Sequence, residues 1–165
     1  MSAPLDNTLA RIQVSLSTLA RSEPDAAHRF LRRYTERAIM QAQTVDSTLA
    51  TVLLDEELVA ATNPLNAMLA VLPDPDLLAL DRLLVLGVDL QCYWASLGRQ
   101  RVDNYARQFL ARWMAFTLHL DPDAASQRIA SRLQEGSLFW LTLFLLPVAE
   151  LVDLRGRLTG FKEAA

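Results

Sequence analysis

The chain has little cysteine, glycine and histidine: of its 165 residues one is cysteine (Cys92), five are glycine and two are histidine, His28 and His119. A single cysteine excludes an internal disulfide, which favours a reducing cytoplasm as the location. So few imidazole and thiol groups exclude a metal site built from histidine and cysteine. Five glycines leave little material for a phosphate-binding loop. We therefore predict no metal and no cofactor.

Recognisable catalytic motifs are also missing. The sequence contains no Gly-x-Ser-x-Gly, no Walker loop and no glycine fingerprint for a dinucleotide. Glu-x-x-His, which di-iron bundles need, does not occur either. We predict no catalytic residues and expect a protein that is not an enzyme. An acid–base pair drawn from the remaining carboxylates stays open as the alternative.

The balance of charge disfavours nucleic acid as a partner. The 16 basic and 19 acidic residues give a formal charge of −3 and a pI of about 5.3, whereas general nucleic-acid binders are basic. Every basic residue except Lys162 is an arginine. This bias is typical of GC-rich bacterial genomes, so we expect a bacterial protein.

Long hydrophobic runs are few. The longest, residues 138–149, spans about 18 Å as a helix, short of the roughly 30 Å hydrocarbon core of a bilayer, so we predict no transmembrane segment. The start of the chain lacks a basic stretch followed by an apolar block, and we also expect no export signal. Hydrophobic residues nevertheless make up 52 % of the chain, with a mean hydropathy of +0.15. This content favours either a dense core or apolar surface buried in a homo-oligomer.

An acidic residue, a proline and an aspartate follow one another three times, at residues 23–25, 74–76 and 121–123. Proline suits the first turn of a helix because its missing N–H has no partner there. The flanking carboxylates suit the free amides and the positive end of the helix dipole. Each triplet therefore predicts a helix start. Since no alternating apolar run is bounded by hairpin turns, we predict an all-α fold: one domain, residues 1–165, built as a bundle of about seven or eight helices.

Apolar residues that recur at steps of three and four set the bounds of the predicted helices. These bounds are 5–20, 24–41, 47–61, 65–72, 75–97, 102–119, 122–134 and 137–154. The C-terminal helix is nearly all apolar. Pro147 predicts a kink in it, because proline removes a backbone hydrogen bond.

The second predicted helix carries a basic face, which we name the arginine row. The row consists of His28, Arg29, Arg32, Arg33 and Arg37. Guanidinium groups make paired hydrogen bonds to carboxylates and phosphates, so the row is a candidate site for an acidic partner. The alternative is an ordinary hydrated helix face.

Three consecutive acidic residues in the third predicted helix form a counterpart to the arginine row. They are Asp55, Glu56 and Glu57. The cluster either meets the row, within one molecule or across a dimer, or stays hydrated as exposed charges commonly do.

Six large aromatic side chains are candidates for an apolar interface or for the wall of a pocket. They are Trp94, Trp113, Phe116, Phe139, Trp140 and Phe144. Helical spacing places Phe116 with Trp113 on the apolar side of the sixth helix, away from Arg112. The alternative for all six is ordinary core, where buried tryptophans are common.

High apolar content together with missing catalytic groups predicts a binding protein. We expect a non-catalytic protein-interaction module, such as an adaptor, inhibitor, immunity protein or chaperone, that also forms homo-oligomers. The alternative is a domain that binds an apolar small molecule or a lipid in a pocket lined by the aromatic candidates. An enzyme with an unrecognised site and a nucleic-acid binder that uses the arginine row stay as further alternatives.

Overall fold

The computed structural model of the chain describes residues 3–21, 23–59, 61–133 and 137–164. Within these ranges 89 % of the residues are helical, nine helices are present and no strand occurs. The helices are α1 (Ala3–Ala20), α2 (Pro24–Gln43), α3 (Ser47–Val59), α4 (Pro64–Val71), α5 (Asp74–Leu97), α6 (Arg99–Leu118), α7 (Pro122–Leu133), α8 (Leu138–Leu145) and α9 (Val148–Ala164). The all-α prediction is confirmed, and the number of helices is close to the number expected.

The three acid-proline-aspartate triplets begin helices, as predicted. Pro24 and Pro122 are the first residues of α2 and α7, whereas α5 begins one residue before its proline, at Asp74. The Asp121 carboxylate accepts a hydrogen bond of 2.8 Å from the Ala124 amide. This bond satisfies one of the N–H groups that a helix start leaves without a backbone partner.

The predicted C-terminal helix is wrong in its continuity. The chain leaves the helix at Leu146 and resumes it at Val148, so α8 and α9 are two helices and not one kinked helix. Leu146 is extended (φ −80°, ψ 136°), because the ring of a proline disfavours helical geometry in the residue before it. The Pro147 carbonyl then accepts the N–H groups of Glu150 and Leu151, both at 3.0 Å. Proline thus ends one helix and starts the next.

The length of the last helix also differs from the prediction, since α9 continues past Leu154 to Ala164. Leu151, Leu154 and Leu158 are fully buried, at the spacing of three and four residues that marks one face of a helix. Burial of that face stabilises the helix across Gly156. The predicted end of α7, at Gln134, lies outside the described residues.

Residues 1–85 and 86–165 form two compact units, and the division falls within α5. The largest fully buried side chains of the first unit are Ile12, Leu19, Leu31, Leu54, Met68, Leu80 and Leu84. Those of the second unit are Leu90, Leu110, Ile129, Leu143 and Leu151. A single domain over the whole chain stays a prediction, since two compact units can still unfold in one step.

Polar contacts join distant segments of the first unit. The Arg11 guanidinium in α1 donates to Asp81 Oδ2 in α5 from Nε at 3.1 Å and from Nη2 at 2.9 Å. Asp81 Oδ1 is buried and has no hydrogen-bond partner among the described residues. The Tyr34 hydroxyl in α2 donates to the Asp76 carbonyl in α5 at 3.1 Å.

Contacts between aromatic rings join distant segments of the second unit. Phe139 of α8 makes edge-to-face contacts with Trp94 of α5 and with Trp140, at ring-centroid distances of 5.3 and 5.5 Å. Tyr105 of α6 meets Phe161 of α9 in the same manner, at 4.6 Å. Edge-to-face pairs at these distances are favourable, because the positive edge of one ring faces the negative face of the other.

Candidate partner-binding surface

The arginine row lies on α2, opposite the buried Phe30 and Leu31. Arg29 is exposed, whereas His28, Arg32, Arg33 and Arg37 are half-buried. The helix therefore has the two faces that the sequence predicts. The row is less exposed than a hydrated face would be.

Arg32 is occupied by carboxylates of its own unit. Its guanidinium donates to Glu36 on the next turn of α2 at 3.2 Å, and to Asp55 of α3. The hydrogen bond to Asp55 raises the pKa of Arg32 above its ordinary value. The arginine row and the acidic cluster thus meet within one molecule at this position, while Glu56 and Glu57 stay exposed.

Arg37 is occupied by an aromatic ring. Its guanidinium carbon lies 5.3 Å from the centre of the Tyr34 ring, a distance at which a cation is attracted to the ring face. The two side chains line an open depression of about 260 Å³ together with Ala38, Gln41 and Asp76. With Arg32 and Arg37 both engaged, the row offers an external anion fewer guanidinium groups than the sequence indicates.

Three of the aromatic candidates are core residues of the second unit. Trp94, Phe139 and Trp140 are all buried, and Phe139 contacts both tryptophans edge to face. The Trp94 indole donates to Asp103 Oδ1 at 2.7 Å, which satisfies the polar atom that a buried tryptophan brings with it. None of these rings lines the depression beside Tyr34 and Arg37, or a second depression beside Asp89 and Arg155.

The second of those depressions has about 340 Å³ and is mostly polar. Its lining residues are Asp89, Cys92, Tyr93, Ser96 and Arg155. Arg155 donates to Asp89 at 3.2 Å, and the Tyr93 and Thr159 hydroxyls share a hydrogen bond of 2.7 Å.

The other three aromatic candidates are exposed to solvent to differing degrees. Trp113 and Phe144 are half-buried, whereas Phe116 is 86 % exposed. The prediction that Phe116 lies on the apolar side of α6 is wrong. The buried residues of α6 are Val102, Ala106, Leu110 and Met114. At about 100° per residue, Phe116 projects roughly a quarter turn away from that row, in the last turn of the helix.

Phe116 continues a line of exposed side chains that we name the α6 outer face. The face consists of Arg101, Asn104, Gln108, Arg112 and Phe116. Steps of three and four residues place all five on one side of the helix. The face holds guanidinium and amide groups and one aromatic ring, and no carboxylate.

The guanidinium groups of this helix differ in how they are held. Arg101 lies over the Phe161 ring, 5.4 Å from its centre, and Arg99 is 3.9 Å from Asp103. Neither Arg107 nor Arg112 has an ion pair within the described part of the chain. Arginine and aromatic residues are the types most enriched among the residues that dominate protein–protein binding. The α6 outer face is therefore the candidate partner-binding surface.

The sequence analysis assigned the charged part of partner binding to α2 and named only the aromatic residues Trp113 and Phe116 on α6, not its arginines. The missed signal is the charge pattern, since α6 carries four arginines and a single acidic residue, Asp103. In α2, by contrast, Glu36 stands within the arginine row.

Other kinds of site receive no support from the structure. No group of histidine, cysteine and acidic residues within the described ranges is arranged to hold a metal ion. Among the described helices none has both the length and the apolar character needed to cross a membrane. No model of a known protein family matches the chain, and no curated protein or solved structure is significantly similar to it.

Proposed function

We propose that this chain is a non-catalytic protein-interaction module that binds its partner through the α6 outer face. The observation that carries the proposal is Phe116, a phenylalanine with 86 % of its surface exposed, one turn from Arg112, which has no ion pair among the described residues. Covering such a side chain contributes about 1.5–3 kcal/mol. The single cysteine supports a cytoplasmic location, and the arginine bias supports a bacterial origin. The apolar content of 52 % supports self-association.

The charge of the surface indicates an acidic partner. Four guanidinium groups, those of Arg99, Arg101, Arg107 and Arg112, are exposed on α6, and the α6 outer face carries no carboxylate. Opposite charges across an interface accelerate association and exclude partners of like charge. A partner with carboxylates beside an apolar side chain matches both properties of the α6 outer face.

Binding of an apolar small molecule or a lipid stays a prediction without a supporting observation. Phe139 is in contact with both Trp94 and Trp140, and Phe116 is at the surface. The depression beside Tyr34 and the depression beside Asp89 are lined largely by polar side chains, so neither of them suits an apolar ligand.

Site-specific photocrosslinking tests the proposal. A photoreactive phenylalanine analogue replaces Phe116 in the full chain, expressed in its own host. The matched control carries the analogue at Val14 of α1, which is 67 % exposed. We expect a crosslinked protein product from position 116 and none from position 14. Equal products from both positions, or none from position 116, would contradict the proposal.

A further inference from the structure

The third helix leaves more of its surface uncovered than its apolar content would suggest. Of the described residues of α3 only Ala50 and Leu54 are buried. Leu49 and Val52 are 44 % and 47 % exposed, and Val59 is 85 % exposed. Three large apolar side chains in water on one short helix indicate a surface that another molecule covers.

These apolar side chains lie on one side of α3 together with a carboxylate. We name this side the α3 outer face: Leu49, Val52, Glu56 and Val59. Steps of three, four and three residues keep the four within about a quarter turn of the helix. Glu56 forms no ion pair within the described residues, unlike its neighbour Asp55, which is held by Arg32.

We infer that the occupant of the α3 outer face is the α6 outer face of a second copy of this chain. The inference rests on the proposed function and names its partner. Two complementary surfaces carry it: one joins an exposed carboxylate to valine and leucine, and the other joins an exposed guanidinium to phenylalanine. The opposite charge balance of the two units is consistent with this pairing. Residues 1–85 hold eleven acidic and seven basic residues, and residues 86–165 hold eight acidic and nine basic residues.

The spacing within each face allows both contacts to form together. Phe116 follows Arg112 by one helical turn, and Glu56 follows Val52 by one turn, which is about 6 Å along the axis in each case. With the helices antiparallel, an Arg112–Glu56 ion pair sets the Phe116 ring against Val52. Arginine and carboxylate make paired hydrogen bonds, and the neighbouring apolar contact excludes water from them.

Charge reversal tests the inference on the full chain. The variants are Arg112→Glu, Glu56→Arg and the double variant, and the readout is the self-association constant from sedimentation velocity. Each single variant places like charges in contact, and we expect self-association to weaken at least about tenfold. The double variant, and an equimolar mixture of the two single variants, restore opposite charges and return association towards that of the unmodified chain.

Two matched controls carry the same changes of charge elsewhere. Arg128→Glu alters an exposed arginine of α7, and Glu57→Arg alters an exposed carboxylate about 100° around α3 from Glu56. We expect both to associate like the unmodified chain. Circular dichroism at 222 nm checks that every variant is folded.

Several outcomes would overturn the inference, and they are distinguishable from failure of the proposed function. If Arg112→Glu weakens association and Glu56→Arg does not, the α6 outer face is a contact but α3 is not its partner. If neither changes it, or the unmodified chain is a monomer, self-association through these faces is wrong, whereas a crosslink at position 116 to another protein would leave the proposed function standing. If Arg112→Glu instead abolishes salt-sensitive binding of a labelled oligonucleotide, the face binds phosphate and both proposals are wrong.

Discussion

The two units of the chain differ in their share of aromatic residues. The first, residues 1–85, contains two of the twelve aromatic residues, and the second, residues 86–165, contains the other ten. Polar contacts join distant segments in both units, Arg11–Asp81 in the first and Arg155–Asp89 in the second. The second unit adds edge-to-face ring contacts around Phe139. Ion pairs with an exposed partner contribute about 0–1 kcal/mol, whereas aromatic pairs add about 0.5–1.5 kcal/mol beyond the area that they bury. We therefore expect aromatic contacts to contribute more to the stability of the second unit than ion pairs contribute to the stability of the first.

Replacing Phe139 by alanine tests the aromatic half of this comparison and has the largest expected effect. The side chain is 6 % exposed, and its loss leaves a cavity between two tryptophans, at a cost of about 3–5 kcal/mol in the free energy of unfolding. All three tryptophans belong to the second unit, so urea unfolding followed by tryptophan fluorescence measures this cost. Phe116→Ala makes the same chemical change at a position that is exposed in the single chain. At protein concentrations where the chain is monomeric, we expect a change within about 0.5 kcal/mol. Equal losses in the two variants would contradict the burial described above.

Replacing Arg11 by alanine tests the polar half. Asp81, whose side chain is 12 % exposed, then keeps a buried carboxylate without its cation, while the arginine is itself 55 % exposed. We expect a loss of about 1–2 kcal/mol, because an unpaired buried acceptor costs more than a surface ion pair contributes. Circular dichroism at 222 nm, which follows all the helices, measures the shift of the urea midpoint. If the midpoint followed by tryptophan fluorescence shifts by the same amount, the two units unfold together, and they differ in their contacts but not in their stability.

Tyr34 gives the first unit a pH dependence. Burial, and then the charge of Asp76, raises the pKa of Tyr34 above its ordinary value of 10.0. The folded state therefore holds the phenol proton more tightly than the unfolded state, and this contribution to stability is present below about pH 10 and lost as the pH rises further. Tyr34→Phe removes the hydrogen bond to Asp76 and costs about 0.5–1.5 kcal/mol at neutral pH. Between about pH 9 and about pH 11 the difference between the two proteins should shrink. A constant difference over that range in urea unfolding would contradict the assignment.

The smallest effect concerns a feature that the two units share. Thr44 ends α2 and His119 ends α6, both with φ of 54°, and each donates its N–H to the carbonyl four residues before it. Glycine adopts this left-handed geometry without strain, and a β-branched residue adopts it least readily. We expect Thr44→Gly to stabilise by about 0.5–1 kcal/mol and His119→Gly by less, measured as shifts of the urea midpoint. The reverse order would show that backbone strain is not the cause.

The fold class and most helix starts follow from local rules, which is why the sequence predicts them. Pro24 and Pro122 occupy the first position of their helices, where proline is favoured. Asn63 accepts hydrogen bonds from the Leu65 and Asn66 amides at the start of α4. The break at Pro147 is also a local effect, but its size depends on whether neighbouring structure holds the chain straight. A kink and a break have the same sequence signature.

The candidate site is less predictable because exposure depends on tertiary packing. A helix pattern places Phe116 near Trp113, yet whether a neighbour covers the ring depends on where α6 ends. The arginine row illustrates the opposite case. Its pattern is visible in the sequence, but the approach of Asp55 to Arg32 joins residues 23 positions apart, and periodicity within one helix carries no information about such a contact.

Cys92 makes the second unit accessible to energy-transfer measurements. It is the only cysteine of the chain and it is exposed on α5, so a thiol-reactive dye attaches at one position under native conditions. The three tryptophans are donors within the same unit. Transfer from them to the dye changes when residues 86–165 expand, and is insensitive to loss of structure confined to residues 1–85. One label therefore separates the unfolding of residues 86–165 from that of residues 1–85.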